Sequence, residues 1–314
     1  MVEAPHGSAP RPDPLERLLF AAPGRLRAGY RLALFIAAWF FAVGPLRGVV
    51  TSWLPLALVP WLAPWLAPLA ALGATFVLLR RIDERPWDDV GLGARARAPR
   101  QWAHGALVGS VAIAVPVALL VLTGWLARAP GTDGSVAGAM LIAANALLPA
   151  ALSEELLMRG YPFTVLRDTA GWLVATAVTS VAFGLLHLGN PGVSPQAIAL
   201  VIAAGIWLAA VRVVTGSLVA AWMAHFAWNW WLAAGFHAPV SGLPSLTPGW
   251  RLVDAGPDWL TGGAWGPEAG LLSAVGMIAG TALLARGPFT RRVAASAPSS
   301  HDIGGHDGRT EHAS

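Results

Sequence analysis

Between residues 139 and 167 the chain reads AMLIAANALLPAALSEELLMRGYPFTVLR, a run long and apolar enough to cross a bilayer. It nevertheless sets Glu154, Glu155 and Arg159 near its middle. An ionisable side chain at the centre of a membrane costs at least about 2.5–3.5 kcal/mol on insertion scales, so such groups face a cavity or a partner. Glu155 and Arg159 are four residues apart and stack on one helix face, where they neutralise each other. Glu154 is turned about 100° from Glu155 and has no such partner within its own helix. The rest of the sequence has to account for that carboxylate.

Apolar blocks of similar length recur along the 314 residues, of which 55% are hydrophobic and 12% charged. Soluble domains carry about 25% charge, and a hydrocarbon core about 30 Å thick needs about 20 apolar residues per helix. The expected fold is therefore all-α, a polytopic transmembrane helical bundle. A β-barrel would show alternating strands of about ten residues, and the sequence has none. With no cysteine, disulfides and thiol chemistry are excluded. The 16 tryptophans fit a bilayer protein, in which Trp gathers at the two interfaces. No cleavable signal peptide is expected, because the first 14 residues are polar and Pro-rich and no small-residue cleavage site follows the first apolar run.

About eight spans are expected, at residues 32–46, 53–79, 102–126, 139–167, 171–188, 195–214, 216–234 and 264–285. The chain then divides into a disordered or interfacial segment (1–31), N-terminal membrane helices with a basic loop at 80–100 (32–130) and a core carrying the polar motifs (131–235). A loop with the last helix (236–286) and a disordered tail (287–314) complete it. The first span is short as written and can begin earlier, with Arg31 reaching back to the interface. Arginine supplies all the basic charge, and with the N-terminus inside, 17 arginines fall in inside segments and 3 in outside ones. That asymmetry predicts cytoplasmic N- and C-termini. It also makes the net charge of +4 a matter of topology rather than nucleic-acid binding. The expected location is the cell membrane (inner or plasma), with multiple passes.

Three apolar segments carry polar residues at membrane depth. The first holds Glu154, Glu155 and Arg159; the second Phe183 and His187, four apart on one helix face; the third His225 and Asn229, likewise four apart. A carboxylate, two imidazoles and a carboxamide can take, pass and donate protons, activate a water and hold an oxyanion. Two histidines and a carboxylate are also a common hydrolytic zinc set, so Glu154, His187 and His225 are a possible ligand group. Alone, each feature has a plainer explanation. A buried ion pair can fix helix register, and a lone His or Asn in a span is commonly a polar group satisfied between helices. His104 and His237 lie near span ends and receive no role, and the tail histidines His301, His306 and His312 read as part of a flexible tail.

The motifs Glu154-Glu155-Leu156-Leu157-Met158-Arg159-Gly160, Phe183 to His187, and Gly216-Ser217-Leu218 followed by His225 to Asn229 resemble the CPBP family of intramembrane proteases. That family takes in CAAX prenyl endopeptidases, bacteriocin-processing proteins and the Abi (abortive infection) group. The resemblance covers roughly residues 135–235, and Trp87 to Leu92 resembles a segment often seen before the family's core. It implies an endopeptidase in which Glu154 and His187 activate the water and His225 and Asn229 hold the oxyanion. Glu155 and Arg159 would form a structural ion pair, with Phe183 packed beside the site. The implied partners are a peptide or membrane-protein substrate and the lipid bilayer, with no nucleic acid. Zinc-dependent hydrolysis by the same residues stays open, although no His-Glu-x-x-His is present. A transporter or ion relay built on the same buried groups and a non-catalytic scaffold are the other readings.

Overall fold

The computed structural model describes residues 14–22, 25–245 and 247–286. The expected disorder of 1–13 and of the tail from 287, with the tail histidines, lies outside the described residues. Eight longer helices organise the chain: α1 Ala28–Trp53, α2 Leu66–Val77, α3 Pro99–Leu122, α4 Val136–Arg159, α5 Tyr161–Leu186, α6 Pro195–Thr215, α7 Leu218–Trp230 and α8 Leu272–Arg286. Among the described residues, five stretches are long and apolar enough to cross a membrane: Ala28–Trp53, Val59–Ile82, Pro99–Leu122, Val136–Leu186 and Pro195–Thr215. Leu272–Arg286 is a shorter apolar helix. The protein is mostly helical and a multi-pass membrane protein. Large side chains such as Phe41, Leu122, Leu141 and Ile278 stand exposed on its outside, where hydrocarbon rather than water is the solvent they suit.

Several boundaries differ from those expected. The expected span at 139–167 ends at Gly160, because α4 stops at Arg159 and a new helix starts at Tyr161. Within α5, Gly171 takes φ 84°, a left-handed geometry open to glycine, and kinks the helix there. The first helix starts at Ala28, and Arg31 does not reach for the interface. It is 2% exposed and ion-paired to Asp83, while the Tyr161 hydroxyl donates to Asp83 over 2.8 Å. An inward carboxylate holds the guanidinium more firmly than a snorkelling path would. The prolines after Trp53 break the second stretch, as anticipated, into Val59–Leu62, a 3-10 turn and α2.

Two short antiparallel ribbons also interrupt the all-helical expectation. Phe20–Ala22 pairs with Arg25–Leu26, and Leu126–Pro130 pairs with Trp250–Asp254. The second ribbon joins the end of α3 to the segment between α7 and α8. Its strands lie too far apart in sequence, and are too short, to show a local signature.

The loop after α2 clamps one end of the bundle. The Asp89 carbonyl accepts from Thr164 of α5 (3.1 Å) and Arg212 of α6 (3.3 Å), and the Gly91 carbonyl accepts from the Leu218 amide of α7 (2.9 Å). Ser217 caps α7 by accepting from the Ala220 amide (3.1 Å), while its hydroxyl donates to the Ala96 carbonyl (2.6 Å). Gly216, at φ 66°, closes α6 in the left-handed turn that lets α7 begin two residues later. The family-like stretch Trp87 to Leu92 thus fixes the starts and stops of the helices that carry the polar motifs.

Helix α7 packs most closely on α3. A Cβ on Gly105 or Gly109 would collide with the carbonyl oxygens of Ala220 and Ala224, so glycine sets the helix separation and, through it, the position of His225. Replacing Gly109 with Val is expected to cost about 1–3 kcal/mol as overpacking, read as a lower melting temperature in detergent. Gly29→Ala, where no atom lies within 4 Å, is expected to leave stability unchanged or slightly raised.

Candidate active site

Glu155 is fully buried on α4, and its partners come from two helices. Arg159 Nη1, one turn along α4, donates to Glu155 Oε1 at 3.0 Å, and His225 Nδ1 on α7 meets the same oxygen at 2.9 Å. Arg159 Nη2 donates to the Gly205 carbonyl of α6 at 2.8 Å, and its guanidinium carbon lies 4.7 Å from the centroid of the Phe183 ring on α5. A single i, i+4 pair therefore gathers four helices. A buried pair of this kind is stable only when its remaining donors and acceptors are met. Here most are met, while Glu155 Oε2 and Arg159 Nε have no protein partner.

The carboxylate left unpaired in the sequence finds its neighbour on another helix. Glu154 Oε2 lies 3.6 Å from His225 Nε2, and its side chain is 34% exposed. A carboxylate accepts only, so Nδ1 carries the hydrogen shared with Glu155 and Nε2 faces Glu154. His225 thus has a carboxylate at each ring nitrogen, and a proton on either one has an acceptor. The expected role of Glu155 as only half of a structural pair is too small: it also orients His225.

His187 caps the end of α5. Its Nδ1 lies 2.8 Å from the Phe183 carbonyl, which accepts only, so Nδ1 donates and the Nε2 lone pair is left for other work. The Phe183 ring lies edge-on between the two imidazoles, with centroids 4.9 Å from His187 and 5.7 Å from His225. A cavity opens beside them, and His187, His225 and Asn229 all line it, with Phe183, Trp207 and Trp228 among its walls. Glu154 is not among those lining residues, and no hydrogen bond or ion pair joins it to His187. Nor do three of His, Cys, Asp or Glu come together as a metal-holding group among the described residues. Glu154, His187 and His225 therefore do not form a ready zinc cradle in this arrangement.

The cavity also has an acidic lining residue that was not among those expected at the site. Glu268, on a 3-10 turn before α8, reaches the cavity and is 9% exposed. It lies inside the apolar span expected at 264–285, so the rule that singled out Glu154 applied to it as well. The helix begins only at Leu272, which makes Glu268 part of the segment covering the cavity.

The family model described as type II CAAX prenyl endopeptidase Rce1-like matches residues 136–231, from the start of α4 to the end of α7. All three motifs lie within the match, which supports a CPBP family intramembrane protease. No curated protein and no solved structure matches the chain.

Arg159→Met leaves Glu155 buried without its cation and is expected to lower stability by about 3–5 kcal/mol. The double variant Glu155→Leu/Arg159→Met is expected to recover part of that loss. Thermal unfolding of the detergent-solubilised variants reads both values. A single variant as stable as wild type would overturn the account of the pair.

Proposed function

We propose that this chain is an intramembrane endopeptidase that cleaves a peptide bond in a peptide or membrane-protein substrate. The observation that carries the proposal is the contact of His225 with both Glu154 and Glu155, beside a cavity that His187 and Asn229 also line. Glu154 acts as the base that takes a proton from the attacking water. His187, with its Nε2 lone pair free, lines the cavity that His225, the neighbour of Glu154, also lines, and shares in positioning that water. The water oxygen bonds to the scissile carbonyl carbon, and the carbonyl oxygen gains the negative charge. Asn229, through its amide N–H groups, and His225, through the Nε2–H of its protonated ring while Nδ1–H stays on Glu155, stabilise that oxyanion. The proton taken up by Glu154 then passes to the leaving amine, so the peptide C–N bond breaks with no net proton change. Glu155 and Arg159 hold His225 at its place in this sequence.

Each group is suited to its role by its surroundings. The site lies among apolar walls where water is scarce, so aligned donors act at high strength. His187, just after α5, and Ser241 and Glu268, between α7 and α8, line the cavity. The arginine pattern supports a plasma or inner membrane placement with both termini in the cytoplasm.

The test is cleavage of a broad peptide library, including lipid-anchored peptides, by the purified chain in detergent. Wild-type protein is expected to cleave. Glu154→Gln and His187→Ala, at unchanged melting temperature, are expected to lose on the order of 10²–10⁴-fold in rate. Wild-type protein that cleaves nothing, or variants that cleave at the wild-type rate, would contradict the proposal.

A further inference from the structure

Glu268 is unlike the other deeply buried carboxylates. Glu155 has Arg159 and His225, and Asp83 has Arg31. Glu268 is met by four neutral donors only. The Ser241 amide, the Ser241 hydroxyl (2.7 Å) and the Trp265 indole N–H (3.2 Å) all go to Oε1, and the Trp228 indole N–H (3.2 Å) goes to Oε2. No cation bonds to it among the described residues. A carboxylate buried in apolar surroundings without a counter-charge is costly, and four neutral donors offset only part of that cost. Oε1 already has three donors while Oε2 has one, so the remaining acceptor capacity belongs to Oε2, the oxygen held by cavity-lining Trp228.

The surroundings are built to keep this carboxylate where it is. Ser241 adopts φ 49°, a left-handed conformation unfavourable for a residue with a Cβ, and it is held there by Glu268 on its amide and hydroxyl. The Ser241 carbonyl accepts from Asn190 Nδ2 at 2.9 Å, three residues beyond His187. Backbone strain and a buried charge thus meet at one wall of the cavity. A purely structural brace would require neither, since a neutral acceptor also bonds to two indoles and a hydroxyl.

We propose that Glu268 forms a recognition subsite, at the wall of the cavity that carries His187, His225 and Asn229, for a basic group on an aliphatic stem. Leu200, Val201 and Ala204 line the route for the stem, and Oε2 receives the ammonium or guanidinium head. The substrate supplies the cation that the fold withholds. This rests on the endopeptidase reading for its biological sense, although the subsite itself is a matter of binding.

The experiment measures binding separately from turnover. Fluorescent, N-acetylated decapeptides of Ala and Leu with one Lys at successive positions are compared with a matched set carrying norleucine, which keeps the stem and removes the charge. A third set with a free N-terminus distinguishes a chain-end amine from a side-chain amine. Anisotropy is read with the full chain in detergent, as wild type, Glu268→Gln and Ser241→Ala. For wild type, the best Lys peptide is expected to bind at least about tenfold more tightly than its norleucine match. Glu268→Gln is expected to remove that ratio and Ser241→Ala, which removes one brace and no charge, to retain it. Equal affinity for the two sets in wild type, or a ratio that survives Glu268→Gln, overturns the subsite. Loss of affinity for both sets at an unchanged ratio overturns it too, and assigns Glu268 to bracing alone. A Lys preference without cleavage of any peptide supports the subsite while the endopeptidase reading fails.

Discussion

The structure depends on one buried oxygen, Oε1 of Glu155, which binds Arg159 of its own helix and His225 of another. Burying that carboxylate is tolerable only because α7 and α4 deliver both partners to it, and Arg159 in turn ties in α6 through the Gly205 carbonyl. The helices that surround this point are shaped by it. Small residues at Gly105 and Gly109 let α7 lie close to α3, and the Gly216–Ser217 turn sets where α7 starts. Because Glu154 is the next residue along α4, the same geometry brings a second carboxylate to the other nitrogen of His225.

The two ends of the bundle serve this centre differently. At one end, backbone carbonyls of the 83–98 loop bond to the first or last turns of α5, α6 and α7, fixing their depth. Several charges there are paired, as with Arg31 and Asp83 or with Arg85, Asp89 and Asp168, while buried Arg212 is met by the Asp89 carbonyl. At the other end, Ser241 and Glu268 line the cavity, and no cation bonds to Glu268 among the described residues.

The polar centre proposed here as catalytic was legible in the sequence because intramembrane charge is costly and therefore conspicuous. Glu154, Glu155, Arg159, His187, His225 and Asn229 stood out against apolar surroundings, and helical spacing paired Glu155 with Arg159 correctly. Contacts between helices were not legible. Spacing along one helix says nothing of which helix lies opposite: Glu154 and His187 were expected to act on one water, with His225 beside them in a possible ligand group, and the direct contact of Glu154 is with His225. The ribbon between Leu126–Pro130 and Trp250–Asp254 depends on a pairing across more than a hundred residues and leaves no local periodicity. Tryptophan is divided between surface and interior: Trp53, Trp61, Trp172 and Trp259 stand exposed. An interfacial belt was expected, yet Trp207, Trp222, Trp228 and Trp265 are buried, and two of them turn their N–H groups to Glu268.

The central claim is that Glu154 and His225 act as one unit in peptide hydrolysis. The most direct measurement is a double-mutant cycle on kcat/KM with Glu154→Gln, His225→Ala and the double variant, each assayed well below its own melting temperature. Residues that share one step lose their contribution together, so the account predicts that the double variant is no slower than the slower single variant. Losses that multiply would show the two side chains acting independently and would contradict it.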